Sequence, residues 1–254
     1  MKLRAVLFDA YGTLFDVYSV ALLAEQLFPQ HGERLAVLWR DKQIEYTRLV
    51  SMSGTAGSGS DAAPDTASAT AATTIGSPFY RPFWDLTRAA LRYAAARLQL
   101  TMPLDVEERL MNEYRHLSAF PENREVLMAL KQRGIPAGIL SNGDPDMLDV
   151  AVKSAGFNGL LQHVISVHSV RRFKTDPAAY ALGPAALGLP AREILFVSSN
   201  AWDAIGATWF GYTTLWVNRG GLPLDPLGTK PTHTGQSLRD ALPLLSGTRR
   251  AAAA

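Results

Sequence analysis

A carboxylate at the end of an apolar run is the first sign of chemistry in this sequence. Asp9 directly follows Ala5-Val6-Leu7-Phe8 and precedes Ala10-Tyr11-Gly12-Thr13-Leu14. A short continuous hydrophobic run reads as a strand buried on both faces, and Gly12 marks a tight loop after it. Such a strand carries Asp9 to the carboxyl edge of a parallel sheet, where open α/β folds bind their ligands. An acid there serves as a covalent nucleophile, or it caps the loop as Asp often does in turns.

Other polar residues gather just past the ends of predicted strands. Leu140 is followed by Ser141-Asn142-Gly143-Asp144, and Val197 by Ser198-Ser199-Asn200-Ala201-Trp202-Asp203. The loop after a strand starting at His163 carries Arg171-Arg172-Phe173-Lys174-Thr175-Asp176-Pro177. Four strand ends on one edge define a pocket around Asp9, with Lys174 able to reach its carboxylate. A lysine there favours the ionised, attacking form of the acid. Each residue also has a plainer use. Arg40 fits an exposed helix face, Trp202 a packed core, and Asp203 a helix cap. Lys174 adjoins Arg171 and Arg172, which read as an exposed charge run. His31, His116, His163, His168 and His233 show no metal-ligand spacing.

The elements that position these groups alternate along the chain. Helical spacing covers Ser19 to Phe28, Glu33 to Val50, Phe79 to Gln99 and Asp105 to Leu117. Beyond it, helices over Glu122 to Arg133, Asp144 to Ala155, Pro177 to Leu187 and Trp202 to Phe210 alternate with strands. The strands are Ile135 to Leu140, His163 to Val167, Ile194 to Val197 and Thr213 to Val217, each read as an apolar run. Helical segments between strands imply right-handed crossovers and a parallel sheet. The expected fold is α/β, a Rossmann-like doubly wound parallel sheet. Residues 1–16 and 120–254 would form the core domain, and 17–119 an inserted helical cap. Within the cap, Ser51 to Ser77 is rich in Ser, Thr, Ala and Gly and reads as a loop without packing residues, or as a lid. Gly220 to His233 reads as loop, Ser237 to Leu245 as a last helix, and Ala251 to Ala254 as a frayed tail.

Composition narrows the classes of function. The 254 residues are 47% hydrophobic, enough for a substantial core. A net charge of +2 is too mild to argue for nucleic acid. The absence of cysteine excludes disulfides, zinc thiolates and thiol nucleophiles. No apolar stretch approaches membrane-spanning length, and the basic start is followed by too short an apolar run for a signal peptide. A cytoplasmic protein without membrane contact is the expectation.

Taken in order, Phe8-Asp9-Ala10-Tyr11-Gly12-Thr13-Leu14-Phe15-Asp16, Leu140-Ser141-Asn142-Gly143, Lys174 ahead of Asp176-Pro177, and Phe196-Val197-Ser198-Ser199-Asn200-Ala201-Trp202-Asp203 resemble the haloacid dehalogenase superfamily. More narrowly they resemble its L-2-haloacid dehalogenases. The likeness covers nearly the whole chain except Ser51 to Ser77. Its specific part is Asp9-Ala10-Tyr11 together with Ser198-Ser199-Asn200. Tyr11 stands where superfamily phosphatases carry a second Asp, and Ser199-Asn200 where they place further acids. Magnesium favours several hard oxygen ligands, so these departures imply a site without metal or other cofactor. Tyr11 also cannot protonate a departing alkoxide as an acid would, which suits a halide leaving group.

The resemblance implies that Asp9 attacks C2 of a short L-2-haloacid, forming an ester that water hydrolyses to a D-2-hydroxy acid. Arg40 would receive the halide, with Asn142 and Trp202 completing its cradle. Ser141 and the amides after Asp9 would hold the substrate carboxylate. Thr13, Ser198 and Lys174 would position Asp9, while Asn200 and Asp203 organise hydrolysis and Tyr180 supports them. Tyr11, Ile44, Phe83 and Trp202 would line the apolar pocket. Relatives pair, so a homodimer is expected. Asp41 and Thr175 depart from the family pattern: Asp41 would pair with Arg40 or point away, and Thr175 would loosen the lysine loop. A magnesium-dependent phosphatase and a non-catalytic binding protein on the same fold are the alternatives.

Overall fold

A computed structural model describes residues 2–53 and 76–245. Most of the predicted Ser51 to Ser77 insertion, and the tail from 246, lie outside the described residues. The chain starts with β1 (Ala5–Phe8), whose four residues are all buried. Four helices come next: α1 (Val20–Leu27), α2 (Gly32–Met52), α3 (Phe83–Arg97) and α4 (Leu104–Arg115). The remainder runs α5 (Asn123–Gln132), β2 (Ala137–Ser141), α6 (Pro145–Ser154), β3 (His163–Ser166), α7 (Pro177–Leu187), β4 (Ile194–Ser198), α8 (Ala201–Phe210), β5 (Thr213–Val217), β6 (His233–Gly235) and α9 (Ala241–Leu244).

Among the described residues, six strands form one parallel sheet in the order β3-β2-β1-β4-β5-β6. Asp9 therefore leaves the central strand where the strand order reverses, between β2 and β4, the place where such sheets open a crevice. The register puts Phe8 beside Ile139 on one side and Val197 on the other, so Asp9, Ser141 and Ser198 emerge on one edge. β1, β2 and β4 are completely buried. Burying a Leu or Phe of this kind contributes about 1.5–3 kcal/mol, which anchors the floor beneath Asp9. Helices α7 and α8 pack on each other and on the strands, as do α5 and β2.

Between β1 and α5, helices α1 to α4 pack chiefly on one another. The chain leaves and returns side by side. Phe15 and Ala119 form an antiparallel bridge, and Asp16 N donates to Ser118 O at 2.8 Å.

Several boundaries differ from the sequence reading. α3 begins at Phe83 rather than Phe79, because Pro82 keeps the residue before it out of helical geometry. β3 is half-exposed, with Val164 45% accessible, since it lies at the sheet edge and one apolar run does not ensure burial. β6 begins at the end of the stretch expected to be loop; its three edge residues carry no hydrophobic pattern. The predicted last helix splits into a 3-10 turn, Leu238–Asp240, and α9. Ser237 and Asp240 cap that turn reciprocally.

Candidate active site

The loop after β1 turns at Gly12, whose φ of 94° is a conformation that favours glycine. That turn folds Thr13 back so that its hydroxyl donates to Asp9 Oδ2 at 3.0 Å. The same hydroxyl accepts from Ser199 N at 2.8 Å, tying the loops after β1 and β4 together. Asn200 Nδ2 donates to Asp9 Oδ2 at 2.8 Å and also meets Tyr11 O at 3.1 Å. Asp9 itself is 6% exposed.

Lys174 supplies the cation. Its ammonium is buried and lies 3.1 Å from Asp9 Oδ1 and 3.0 Å from Asp203 Oδ2. Its backbone N donates to Asn142 Oδ1 at 2.9 Å. Lys174 is thus held both at its backbone and at its ammonium. Tyr180 donates its hydroxyl to Asp203 Oδ1 at 2.8 Å. Burial pushes the Asp203 carboxyl up to about 6; Lys174 opposes that rise, Asp9 adds to it, and the Tyr180 hydrogen bond opposes it. Asp203 is thus an interior acid paired with a lysine, beyond the helix cap that its position at the start of α8 allowed.

Arg40 is 7% exposed, so the exposed-face alternative falls. Its guanidinium donates to Gln43 Oε1 at 2.7 Å, Tyr11 O at 3.0 Å and Asn200 Oδ1 at 3.4 Å. All three partners are neutral. Asp41 is exposed and is not among them. Arg40, Ile44, Asn200 and Trp202 line one cavity of about 520 Å³. Trp202 is half-buried there, not packed in the core.

Tyr11 and Phe83 meet with ring centroids 5.7 Å apart, and Tyr11 stacks on Tyr114 at 5.8 Å. The Tyr11 hydroxyl is buried with no hydrogen-bond partner among the described residues. Burial raises its pKa well above the ordinary range, reinforced by Tyr114 and Asp144, so it stays neutral. Gly143 passes against this ring, and a Cβ there would lie 2.6 Å from Tyr11 Cε2. Ser141 Oγ accepts from Gly143 N at 3.0 Å and shapes that loop.

One implied contact differs. Ser198 Oγ accepts from Asn200 N at 3.1 Å, so it bears on Asp9 through Asn200 rather than by a bond of its own. Three supporting residues were given no role by the sequence reading. Gln43 joins Arg40 to Tyr114 and Thr87, and its sequence signal was a polar side chain three residues after Arg40. Asp144 accepts from Phe83 N and Trp84 N at 3.0 and 2.7 Å. Arg219 donates to Ser199 Oγ, Thr13 O and Glu122. It lies just past β5, between the predicted strand and the loop predicted from Gly220.

A family profile described as haloacid dehalogenase-like hydrolase matches residues 3–211. Haloacetate dehalogenase H-2 of Moraxella sp. (strain B) is 40% identical, over 92% of this chain and 93% of its own. An (S)-2-haloacid dehalogenase of Pseudomonas fluorescens is 36% identical, over 94% and 95%. A crystal structure of an L-2-haloacid dehalogenase superposes with a TM-score of 0.85 at 55% identity, covering 96% of this chain and 99% of that one. The L-2-haloacid dehalogenase of Xanthobacter autotrophicus with chloropropionic acid covalently bound gives a TM-score of 0.81 at 32% identity, covering 97% and 99%.

Proposed function

The chain belongs to the haloacid dehalogenase-like hydrolases, and on that footing we propose that it hydrolyses short L-2-haloalkanoic acids to D-2-hydroxyalkanoic acids and halide. The enzyme is a hydrolase of carbon–halide bonds. One observation carries the reading: Lys174 holds one carboxylate oxygen of Asp9 while Thr13 and Asn200 hold the other, which fixes the nucleophile in place at the sheet edge.

An Asp9 oxygen attacks C2 opposite the halogen. The C–O bond forms as the carbon–halogen bond breaks, and halide leaves with the bonding pair, inverting the carbon. Arg40 receives the halide with Asn142 and Trp202, while Ser141 and the amides after Asp9 hold the substrate carboxylate. Tyr11, Ile44, Phe83 and Trp202 surround the alkyl group. Water then adds to the Asp9 carboxyl carbon, oriented by Asn200, and Asp203 takes its proton. Collapse expels the hydroxy acid's oxygen, which is protonated, and returns Asp9 with one solvent oxygen. Asp203 titrating near 6 is suited to a base at neutral pH.

The donor set does not suit magnesium. The Lys174 ammonium sits between Asp9 and Asp203, offsetting part of their charge where a cation would bind, and no group of three or more His, Asp or Glu is clustered for a metal among the described residues. The reading needs no cofactor, and halide needs no proton from Tyr11 in order to leave. Its partner is a small 2-haloacid, not nucleic acid. Helices α1 to α4, within residues 17–119, act as a cap over the core of residues 1–16 and 120–254. The protein works as a cytoplasmic homodimer. Among the described residues, no helix is long and apolar enough to cross a membrane.

Chloride release from L-2-chloropropionate, with EDTA present and p-nitrophenyl phosphate as control, tests the reading. The wild type should release chloride without metal, and Asp9→Asn should reduce that at least about a thousandfold. Magnesium-dependent phosphate release with no halide would assign the chain to phosphate-ester hydrolysis instead.

A further inference from the structure

The face of α2 that carries Arg40 carries a second arginine the reaction does not use. Arg40, Ile44 and Arg48 are spaced by four and so share one side of the helix. All three line the 520 Å³ cavity that also meets Asn200 and Trp202. Eight residues of helix separate the two arginines by about 12 Å along the axis. Arg40 is at the buried end, against Tyr11 O and Asn200. Arg48 is exposed at the other, with its guanidinium 5.3 Å from the centre of the Trp202 ring. That distance is a cation–π contact. It gives the long side chain a fixed place at the mouth.

Neither arginine is spent on a carboxylate of the protein. Arg40's hydrogen bonds go to neutral oxygens. Among the described residues, Arg48 forms no salt bridge. Asp41 and Glu45 are the acids on the same wall. Glu45 is taken up by Lys42 at 2.7 Å, and Asp41 is exposed to water. An anion entering the cavity therefore meets Arg48 first and Arg40 deeper, with the Ile44 side chain between them.

We propose that Arg48, pinned on Trp202, is the outer carboxylate-docking residue of this site and recruits the haloacid anion before Asp9 engages it. The proposal rests on the dehalogenase reading for its substrate, but the docking itself is a property of any short carboxylate. Arg48 is a positioning residue: it touches no reacting atom, and its effect belongs in binding, not in bond breaking. A rim charge of this kind acts through an electrostatic field that salt screens.

The test separates docking from turnover. Propionate, which has no leaving group, is titrated into the full-length wild type, Arg48→Gln and Arg48→Lys by calorimetry at low ionic strength. Arg48→Gln should weaken its Kd about fivefold, and Arg48→Lys should recover most of that loss. The gap should close when ionic strength is raised with a halide-free salt. With L-2-chloropropionate, the KM of Arg48→Gln should rise by the same factor while kcat stays within about twofold. Equal propionate affinity in all three proteins at low salt overturns the proposal. So does a gap that persists at high salt, which would mark mere packing on Trp202. A wild type that releases no halide, yet shows the Arg48 effect on propionate, sinks the dehalogenase reading and leaves the docking site standing.

Discussion

Asp203 is a carboxyl shielded from bulk solvent, gripped by Lys174 on one oxygen and Tyr180 on the other. Burial has raised it to about 6, so it gains a proton as pH falls through that value and loses its capacity as a base. The pH profile of kcat for chloride release should therefore show an acid limb with an apparent pKa near 6. The Tyr180 hydrogen bond favours the carboxylate, so Tyr180→Phe should raise Asp203 further and move that limb to higher pH. A limb that stays in place or moves to lower pH contradicts the role given to Asp203. At this scale the sequence was legible wherever a polar residue ended a buried strand. Asp9, Asn142 and Ser198 were found that way, and the loop order then gave Lys174 and Asp203. Arg40 was not decided, because periodicity puts a long cation at the border of an amphipathic face without saying whether another layer covers it. Arg219 was missed because its partners, Thr13 O, Ser199 and Glu122, are brought to it only by the fold.

Helix α3 shows how elements hold the site in place. It begins after Pro82, which has no side chain able to cap it. Its Phe83 and Trp84 amides donate instead to Asp144, which immediately follows the loop of Ser141, Asn142 and Gly143. A carboxylate at a helix N-terminus satisfies orphan donors and suits the helix dipole. Asp144→Ala should cost about 1 kcal/mol, seen as a drop in Tm of about 3 °C by calorimetry. The KM for L-2-chloropropionate should rise alongside, because Phe83 loses its tether to the core loop. Unchanged Tm and KM would deny Asp144 this tethering role. Helices and central strands were readable because their periodicities differ and each buries a face. β6 was not readable, since His233, Thr234 and Gly235 pair only at an edge and have no apolar signature.

For the molecule as a whole, the alternation of strands with helices was enough to foresee a parallel sheet with Asp9 at its central edge. Helices α1 to α4 interrupt that alternation, and the paired exit and return at Phe15 and Ala119 support the proposed division into cap and core. Self-association has no comparable signature, because a homodimer interface resembles other half-buried apolar surface in a single sequence. Light scattering should give a mass twice the 27.6 kDa of one chain, and a monomer would contradict the proposed pairing. The central claim is that carbon is transferred to Asp9 before water arrives. A single turnover of excess enzyme with L-2-chloropropionate, run in heavy-oxygen water with EDTA and analysed by mass spectrometry, reads this directly. Transfer to Asp9 predicts D-lactate with no heavy oxygen at C2 and one heavy oxygen in the peptide bearing Asp9. Heavy oxygen at C2 of the first product, with Asp9 unlabelled, would mean that water attacks the substrate itself.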